Sequence, residues 1–89
     1  MSHADIIKAN DELRTQFKGG VVLMTPAVWD LEPRLRGRAL YRMTMYQAFD
    51  KDSDHSEGVF IFAGYTFIWR VEEFAGERSI TLMTKDDLF

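Results

Sequence analysis

The sequence predicts a single α+β domain in which an N-terminal helix is packed on a twisted antiparallel sheet of four to five strands. Three observations lead to this fold class. A helical apolar pattern occurs near the N-terminus, strand-like runs rich in Val, Ile, Phe and Trp fill the second half, and short glycine-containing connections separate those runs. Such short connections favour antiparallel neighbours, because parallel pairs need a long crossover. With 89 residues, the chain has room for one domain, residues 1–89, and one core.

The N-terminal helix is predicted from about Ser2 to Lys18. Ser2 and Asp5 have the spacing of a capping box, in which a hydroxyl and a carboxylate three residues apart each accept a backbone N–H. The apolar positions recur at helical spacing and form one stripe: Ile6, Ala9, Leu13 and Phe17. Gly19-Gly20 is expected to end the helix, because glycine readily takes the left-handed conformation that closes one.

The middle of the chain gives weaker signals. Val21–Met24 is a short apolar run and predicts a buried strand, and Thr25-Pro26 predicts a new helix start that continues for about one turn. Pro33–Arg38 fits a loop or a short helix. From Ala39 to Phe49 the alternating pattern favours a strand, although Met, Leu, Ala and Arg are good helix formers.

Three better strands are predicted in the second half of the chain: Gly58–Ala63, Tyr65–Glu72 and Ser79–Thr84. Gly58, Gly64 and Trp69 are expected in one hairpin, because Gly64 interrupts two strand-like runs. Trp69 alternates with polar neighbours and is expected in the core, packed on the N-terminal helix through Leu13 or Phe17.

One amphipathic helix can cover only one face of such a sheet. The other face is expected to present Thr44, Tyr46, Thr66 and Arg70. An uncovered face with exposed edge strands is a natural surface for docking another molecule.

Composition limits the functional classes. The absence of cysteine fits a reducing compartment and excludes thiol chemistry. The sequence opens without a basic segment followed by an apolar run, and no apolar run approaches the ~20 residues of a membrane helix. We therefore expect a cytoplasmic protein with no membrane partner.

The charges are unevenly distributed around a net charge of −3. This acidic balance disfavours nonspecific nucleic-acid binding and is compatible with docking on a basic partner. Trp29, in a short irregular segment, is expected to be partly exposed, and its sequence context fits an interface anchor and a core position equally well. The predicted partner-binding residues are Asp50, Asp52, Asp54, Glu57, Glu72, Glu73 and Trp29.

Metal and cofactor sites are poorly supported. Asp50, Asp52 and Asp54 have the spacing that opens a calcium loop, but the sixth position is His55 rather than glycine and the twelfth is Ile61 rather than glutamate. A solvated hairpin turn is the better interpretation. We expect no cofactor, no metal and no catalytic residue.

Two alternatives remain open. His55 with Asp54 and Glu57 would make the chain a small enzyme or a metal-binding protein. A basic stretch without an intervening acid would make it a regulatory nucleic-acid binder, through Arg34, Arg36, Arg38 and Arg42.

Several short motifs resemble an uncharacterised bacterial family, domain of unknown function 3768. The resemblance covers most of the chain. The matching positions are Asn10-Asp11 and Arg14, Gly19-Gly20-Val21-Val22-Leu23 with Thr25, Phe49-Asp50, then His55, Gly58, Phe60, Gly64 and Trp69, and finally Thr81 and Met83. Ser56-Glu57 replaces the Asp-Phe of the family's central turn, and Val71-Glu72-Glu73 replaces its Ile-Asp-Tyr.

The resemblance brings no established activity, but it implies a small protein of bacteria, plasmids or phages. Small acidic proteins of mobile elements are often inhibitors of host defence, anti-CRISPR proteins among them. By this analogy we expect a non-enzymatic inhibitor that docks on a basic surface of a host nucleoprotein complex, such as a CRISPR surveillance complex.

Overall fold

A computed structural model describes residues 2–88 of the chain and confirms the α+β class. Within these residues the helices are α1 (His3–Gln16), α2 (Pro26–Trp29) and α3 (Pro33–Thr44). The strands are β1 (Val21–Met24), β2 (Glu57–Phe62), β3 (Tyr65–Phe74) and β4 (Glu77–Thr84), and a 3-10 turn occupies Lys85–Leu88. None of the helices described is long and apolar enough to cross a membrane.

The four strands form one mixed sheet in the order β1-β4-β3-β2. The β2–β3 and β3–β4 pairs are antiparallel, as predicted, whereas β1 runs parallel to β4 with Val22 opposite Ile80. The prediction of a wholly antiparallel sheet was therefore wrong for β1. The short connections bear only on strands adjacent in sequence, and β1 is separated from β4 by two helices and two strands, which permits a parallel pair.

The two hairpins turn at Ala63-Gly64 and Ala75-Gly76, as predicted. Both residues of each turn have positive φ, 52° and 82° in the first and 53° and 82° in the second. Two-residue turns of this hand match the right-handed twist of the flanking strands, and glycine adopts positive φ without a steric penalty. Gly58 and Trp69 lie directly opposite each other in the first hairpin.

Helix α1 begins as predicted and ends slightly earlier than predicted. The Ser2 hydroxyl accepts a hydrogen bond from the Asp5 N–H at 3.1 Å, and the Asp5 carboxylate accepts one from the Ser2 N–H, which completes the capping box. Phe17, rather than Gly19, takes the left-handed conformation that closes the helix, with φ of 57°. The Phe17 side chain is 43% exposed, so it does not reach the core.

The strand predicted for Ala39–Phe49 was wrong, because most of this segment belongs to α3. The helix starts at Pro33, and the Glu32 carboxylate caps it by accepting the backbone N–H groups of Arg34 and Leu35. Ala39 and Met43, four residues apart, are its buried side chains. High helix propensity combined with a capped start therefore overrides the alternating pattern.

The core lies between one face of the sheet and the helices. Its buried apolar side chains are Leu13, Val28, Ala39, Met43, Phe67, Trp69, Ile80 and Leu82. Trp69 is fully buried, as predicted, in the same cluster as Leu13 of α1. A Cβ on Gly58 would lie 2.5 Å from the Trp69 indole nitrogen, so only glycine allows β2 to pass the indole ring at this distance.

The opposite face of the sheet is left uncovered by the helices. Thr66 and Arg70 lie on it, as predicted, because they alternate with the buried Phe67 and Trp69 along β3. The placement of Thr44 and Tyr46 on this face was wrong. Thr44 ends α3, and Tyr46 packs edge-on against the Trp69 ring with a centroid separation of 5.5 Å.

Candidate functional site

Six predicted partner-binding acids gather on one side of the molecule. We call them the acidic surface: Asp50, Asp52, Asp54, Glu57, Glu72 and Glu73. The first four line a hollow between the irregular segment 45–56 and the start of β2. Glu72 and Glu73 line a second hollow next to α1, and Asp54 lines both hollows. Residues distant in the sequence therefore form one continuous carboxylate surface.

The acidic surface carries an excess of negative charge. Its six carboxylates share the two hollows with three Lys or Arg side chains, those of Lys51, Arg70 and Arg78. Arg70 lies 3.8 Å from a carboxylate oxygen of Glu57 and 3.8 Å from one of Glu72. These ion pairs are partly exposed and long, so they are weak, and the field around the hollows stays negative.

Asp54 is the best-defined carboxylate of this surface. Its pKa is lowered from the ordinary value, first because the Ser56 side chain donates a hydrogen bond to it. Partial burial opposes this effect, and the Ser56 backbone N–H, 3.1 Å from Asp54 Oδ1, reinforces it. Asp54 is therefore negatively charged at neutral pH.

A group of side chains from α1 and the loop holds the acidic segment in place. We call it the α1 network: Asn10, Asp11, Arg14, Phe49 and His55. Asn10 Nδ2 donates to the Asp54 backbone carbonyl oxygen at 2.9 Å, and the Asn10 side-chain oxygen Oδ1 accepts a hydrogen bond from Arg78. Through these bonds α1 fixes the backbone that presents the acidic surface.

Arg14 is the centre of the α1 network and is almost fully buried. Its Nη1 donates to the Met43 and Thr44 carbonyl oxygens at 3.2 and 2.8 Å, so it supplies a donor to the last carbonyl groups of α3, which the helix itself leaves without one. Its guanidinium carbon lies 5.1 Å from the Phe49 ring centroid and 5.5 Å from that of Trp69. A cation over aromatic faces at these distances is stabilising, especially when it is shielded from water.

His55 belongs to the α1 network rather than to a carboxylate pair in its own turn. Its Nδ1 lies 2.8 Å from Asp11 Oδ1, and its ring stacks on Phe49 with a centroid separation of 3.7 Å. In the structure His55 is therefore bonded to Asp11, whereas the enzymatic alternative pairs it with Asp54 and Glu57. His55 also lines neither of the two hollows, and its left-handed φ of 61° helps to reverse the chain.

Trp29 lies apart from the acidic surface. It is 54% exposed, as predicted, but it lines neither hollow. The Arg36 guanidinium carbon lies 4.6 Å from the Trp29 ring centroid, and Arg36 Nη1 donates to the Trp29 carbonyl at 2.8 Å. The structure thus separates Trp29 from the six acids with which it was predicted to act.

Sequence reasoning did not identify Asp11 or Arg14 as site residues. Asn10, Asp11 and Arg14 belong to the motif that resembles a known family. From the residues alone, three polar positions on α1 indicate a solvent-facing side of an amphipathic helix. Among residues 2–88 there is no group of three or more His, Asp or Glu side chains placed to hold a metal ion.

Comparison of the chain with protein-family models, with curated proteins and with solved structures gave no match. The resemblance to the family named above stays a prediction. In the structure, many of the positions that match the family's motifs lie around one packed group of side chains. They are Asn10, Asp11, Arg14, Phe49, His55, Gly58 and Trp69.

Proposed function

We propose that this chain is a non-enzymatic binding protein that docks its acidic surface on a basic surface of a partner protein in the cytoplasm. The observation that carries the proposal is the gathering of six carboxylates around two adjoining hollows. Complementary potentials of this kind speed association and exclude partners of the wrong charge.

The α1 network makes the acidic surface suitable for binding. Asn10 and His55 tie the loop to α1 through bonds of 2.9 and 2.8 Å, so the carboxylates are positioned before the partner arrives. A surface that is already ordered loses less conformational entropy on association than a flexible loop does.

The favoured partner is a surface rich in lysine and arginine that normally receives DNA, because fixed carboxylates can take the positions of phosphates. A host nucleoprotein such as a CRISPR surveillance complex is the specific expectation. The expectation of a CRISPR surveillance complex is supported by the analogy drawn from the family resemblance. The broader expectation of a basic partner is supported by the charge and geometry of the acidic surface.

Charge reversal tests this proposal. A variant with Asp52→Lys and Glu57→Lys should bind the partner at least about tenfold more weakly, because two attractive charges become repulsive. The remaining binding should depend less steeply on salt, since fewer complementary charges are left. The partner would first be captured from host lysate with the wild-type chain and identified by mass, and its affinity for each variant then measured between low and high salt.

The matched control reverses two charges elsewhere, with Asp30→Lys and Asp86→Lys. Both residues are exposed and line neither hollow, and the change in net charge is the same. The control should keep most of the affinity. Equal affinity of the wild-type chain and the Asp52/Glu57 variant would contradict the proposal.

The Asp11–His55 pair supports a second candidate function, acid–base catalysis. A carboxylate bonded to Nδ1 would orient an imidazole whose other nitrogen acts on a substrate. In an enzyme of this type, His55→Ala should lower the rate on the order of a hundredfold or more at an unchanged fold. In a binding protein, the same variant should lose partner affinity only a few-fold, because the loop is held less firmly, together with the stability that the stacked ring and the Asp11 bond contribute. Thermal unfolding and partner titration together distinguish the two functions.

A further inference from the structure

The exposed side of α3 forms a second charged surface, remote from the acidic one. On a helical wheel, five side chains fall within one stripe about 100° wide. We call them the arginine stripe: Arg34, Arg38, Tyr41, Arg42 and Met45. The other side of the helix carries the buried Ala39 and Met43, which pack in the core. The stripe exists only because Pro33–Thr44 is one helix, whereas the sequence predicted a loop or short helix over Pro33–Arg38 followed by a strand from Ala39.

The guanidinium groups of the stripe are available for a ligand. Among residues 2–88, no carboxylate lies within ion-pair distance of Arg34, Arg38 or Arg42. Arg36, the fourth arginine of α3, is different, because Trp29 takes both its guanidinium face and its Nη1 hydrogen bond. Positions four apart on a helix rise about 6 Å, so the three arginines whose N–H groups have no ion-pair partner among the described residues form a regular row of cations.

Aromatic and apolar groups accompany these cations. Tyr41 is 64% exposed and Met45 is 57% exposed. The Arg42 guanidinium carbon lies 4.4 Å from the Phe62 ring centroid, and both side chains line a shallow groove with Arg38, Tyr41 and Met45. A cationic groove with an exposed aromatic ring has the two components of a surface for single strands, phosphate contacts and a base-stacking platform.

The acidic surface does not neutralise the stripe. Glu57 at the start of β2 lines the acidic hollow, whereas Phe62 at its end lines the groove beside α3. Five residues of extended strand separate them by roughly 16 Å. This exceeds the Debye length of about 8 Å at physiological salt, so each surface retains its own potential.

We infer that the arginine stripe binds single-stranded nucleic acid, with phosphates on Arg34, Arg38 and Arg42 and a base stacked on Tyr41. An acidic protein segment would satisfy the cations but would make no use of the exposed ring, and duplex DNA keeps its bases stacked within the helix. This inference does not rest on the proposed function, since the two surfaces share no residue.

The test uses fluorescence anisotropy of a labelled 15-nucleotide oligothymidylate, with a duplex of the same length for comparison. The wild-type chain should bind the single strand at 50 mM salt with a Kd in the range of about 1–100 µM, more tightly than the duplex. Changing Arg34, Arg38 and Arg42 to Gln together should weaken binding at least about tenfold and reduce the slope of log Kd against log salt by about 2. Tyr41→Ala should weaken binding by about fivefold or more with the slope unchanged.

Two controls make the test specific. A variant with Lys8, Lys18 and Lys85 changed to Gln has the same net charge as the triple-arginine variant, and these exposed lysines lie outside α3. It should bind like the wild-type chain, as should Arg36→Gln. Circular dichroism melting of each variant confirms that it is folded, which is expected because the replaced side chains of the stripe project from the surface.

Four results would overturn the inference. One is the absence of binding to the single strand at 50 mM salt. Another is an equal loss of binding in the two triple variants, which would indicate a general charge effect. The third is equally tight binding to the duplex with no effect of Tyr41→Ala. If light scattering instead detects an arginine-dependent dimer, the stripe binds a second copy and the inference is wrong.

Discussion

Replacing Trp69 with alanine should lower the free energy of unfolding by about 3–5 kcal/mol. Trp69 is fully buried at the meeting point of Gly58, Tyr46 and Arg14. Its removal leaves a cavity that the surrounding side chains cannot fill, and it deprives Arg14 of an aromatic partner. Because domains of this size are stable by only about 5–15 kcal/mol, the loss is a large share of the total. Urea unfolding followed by circular dichroism measures the change.

Trp29→Ala is the matched control for this prediction. It removes the same side chain from a position that is 54% exposed, where one guanidinium is its main partner. The expected loss is about 1 kcal/mol or less. If both variants unfold at the same urea concentration as the wild-type chain, Trp69 does not hold the core together as described.

Arg14→Ala should lower the free energy of unfolding by about 2–4 kcal/mol. The variant leaves the Thr44 carbonyl oxygen without its Arg14 donor and the Met43 carbonyl oxygen with only the Tyr46 N–H, and it removes the guanidinium partner of Asp11. Arg14→Lys should recover only part of the loss, because an ammonium cannot reproduce the planar, forked geometry of a guanidinium. The same urea titration measures both variants.

Arg38→Ala is the control for Arg14, since it removes an arginine from the exposed side of α3. Its stability should change by about 0.5 kcal/mol or less. Hydrogen exchange adds a local measurement, because loss of Arg14 should increase exchange most in residues 45–56. Wild-type stability and exchange in Arg14→Ala would show that the α1 network does not fix the loop.

The sequence predicted the hairpins well for a physical reason. Turns such as Ala63-Gly64 and Ala75-Gly76 depend on neighbouring residues, and the strands beside them alternate clearly. The start of α1 is equally local, since Ser2 and Asp5 complete a capping box within four residues. Local chemistry of this kind can be identified without knowledge of the tertiary structure.

Other features depend on contacts that sequence patterns do not contain. The alternation from Ala39 to Phe49 fits a strand or a helix, and the capped start at Pro33 decides between them. The pairing of β1 with β4 joins residues far apart in the chain. Neither arrangement follows from hydrophobic periodicity alone.

The candidate site was partly predictable for similar reasons. The acids from Asp50 to Glu57 are close in sequence, so their grouping follows from one turn. The contacts that hold these acids in place do not follow from one turn, because Asp11 and His55 are 44 positions apart in the chain. Arg14 was the least predictable residue, since an arginine on an amphipathic helix is usually exposed unless it is paired.

Displacement of DNA from the captured partner tests the central claim most directly. Partner loaded with fluorescently labelled DNA would be titrated with the wild-type chain and with the Asp52→Lys, Glu57→Lys variant. The proposed docking of the acidic surface predicts that the wild-type chain releases the DNA in a dose-dependent and salt-sensitive way, and that the variant needs at least about ten times more protein. Release of DNA by both proteins at the same concentration, or by neither, would contradict the claim.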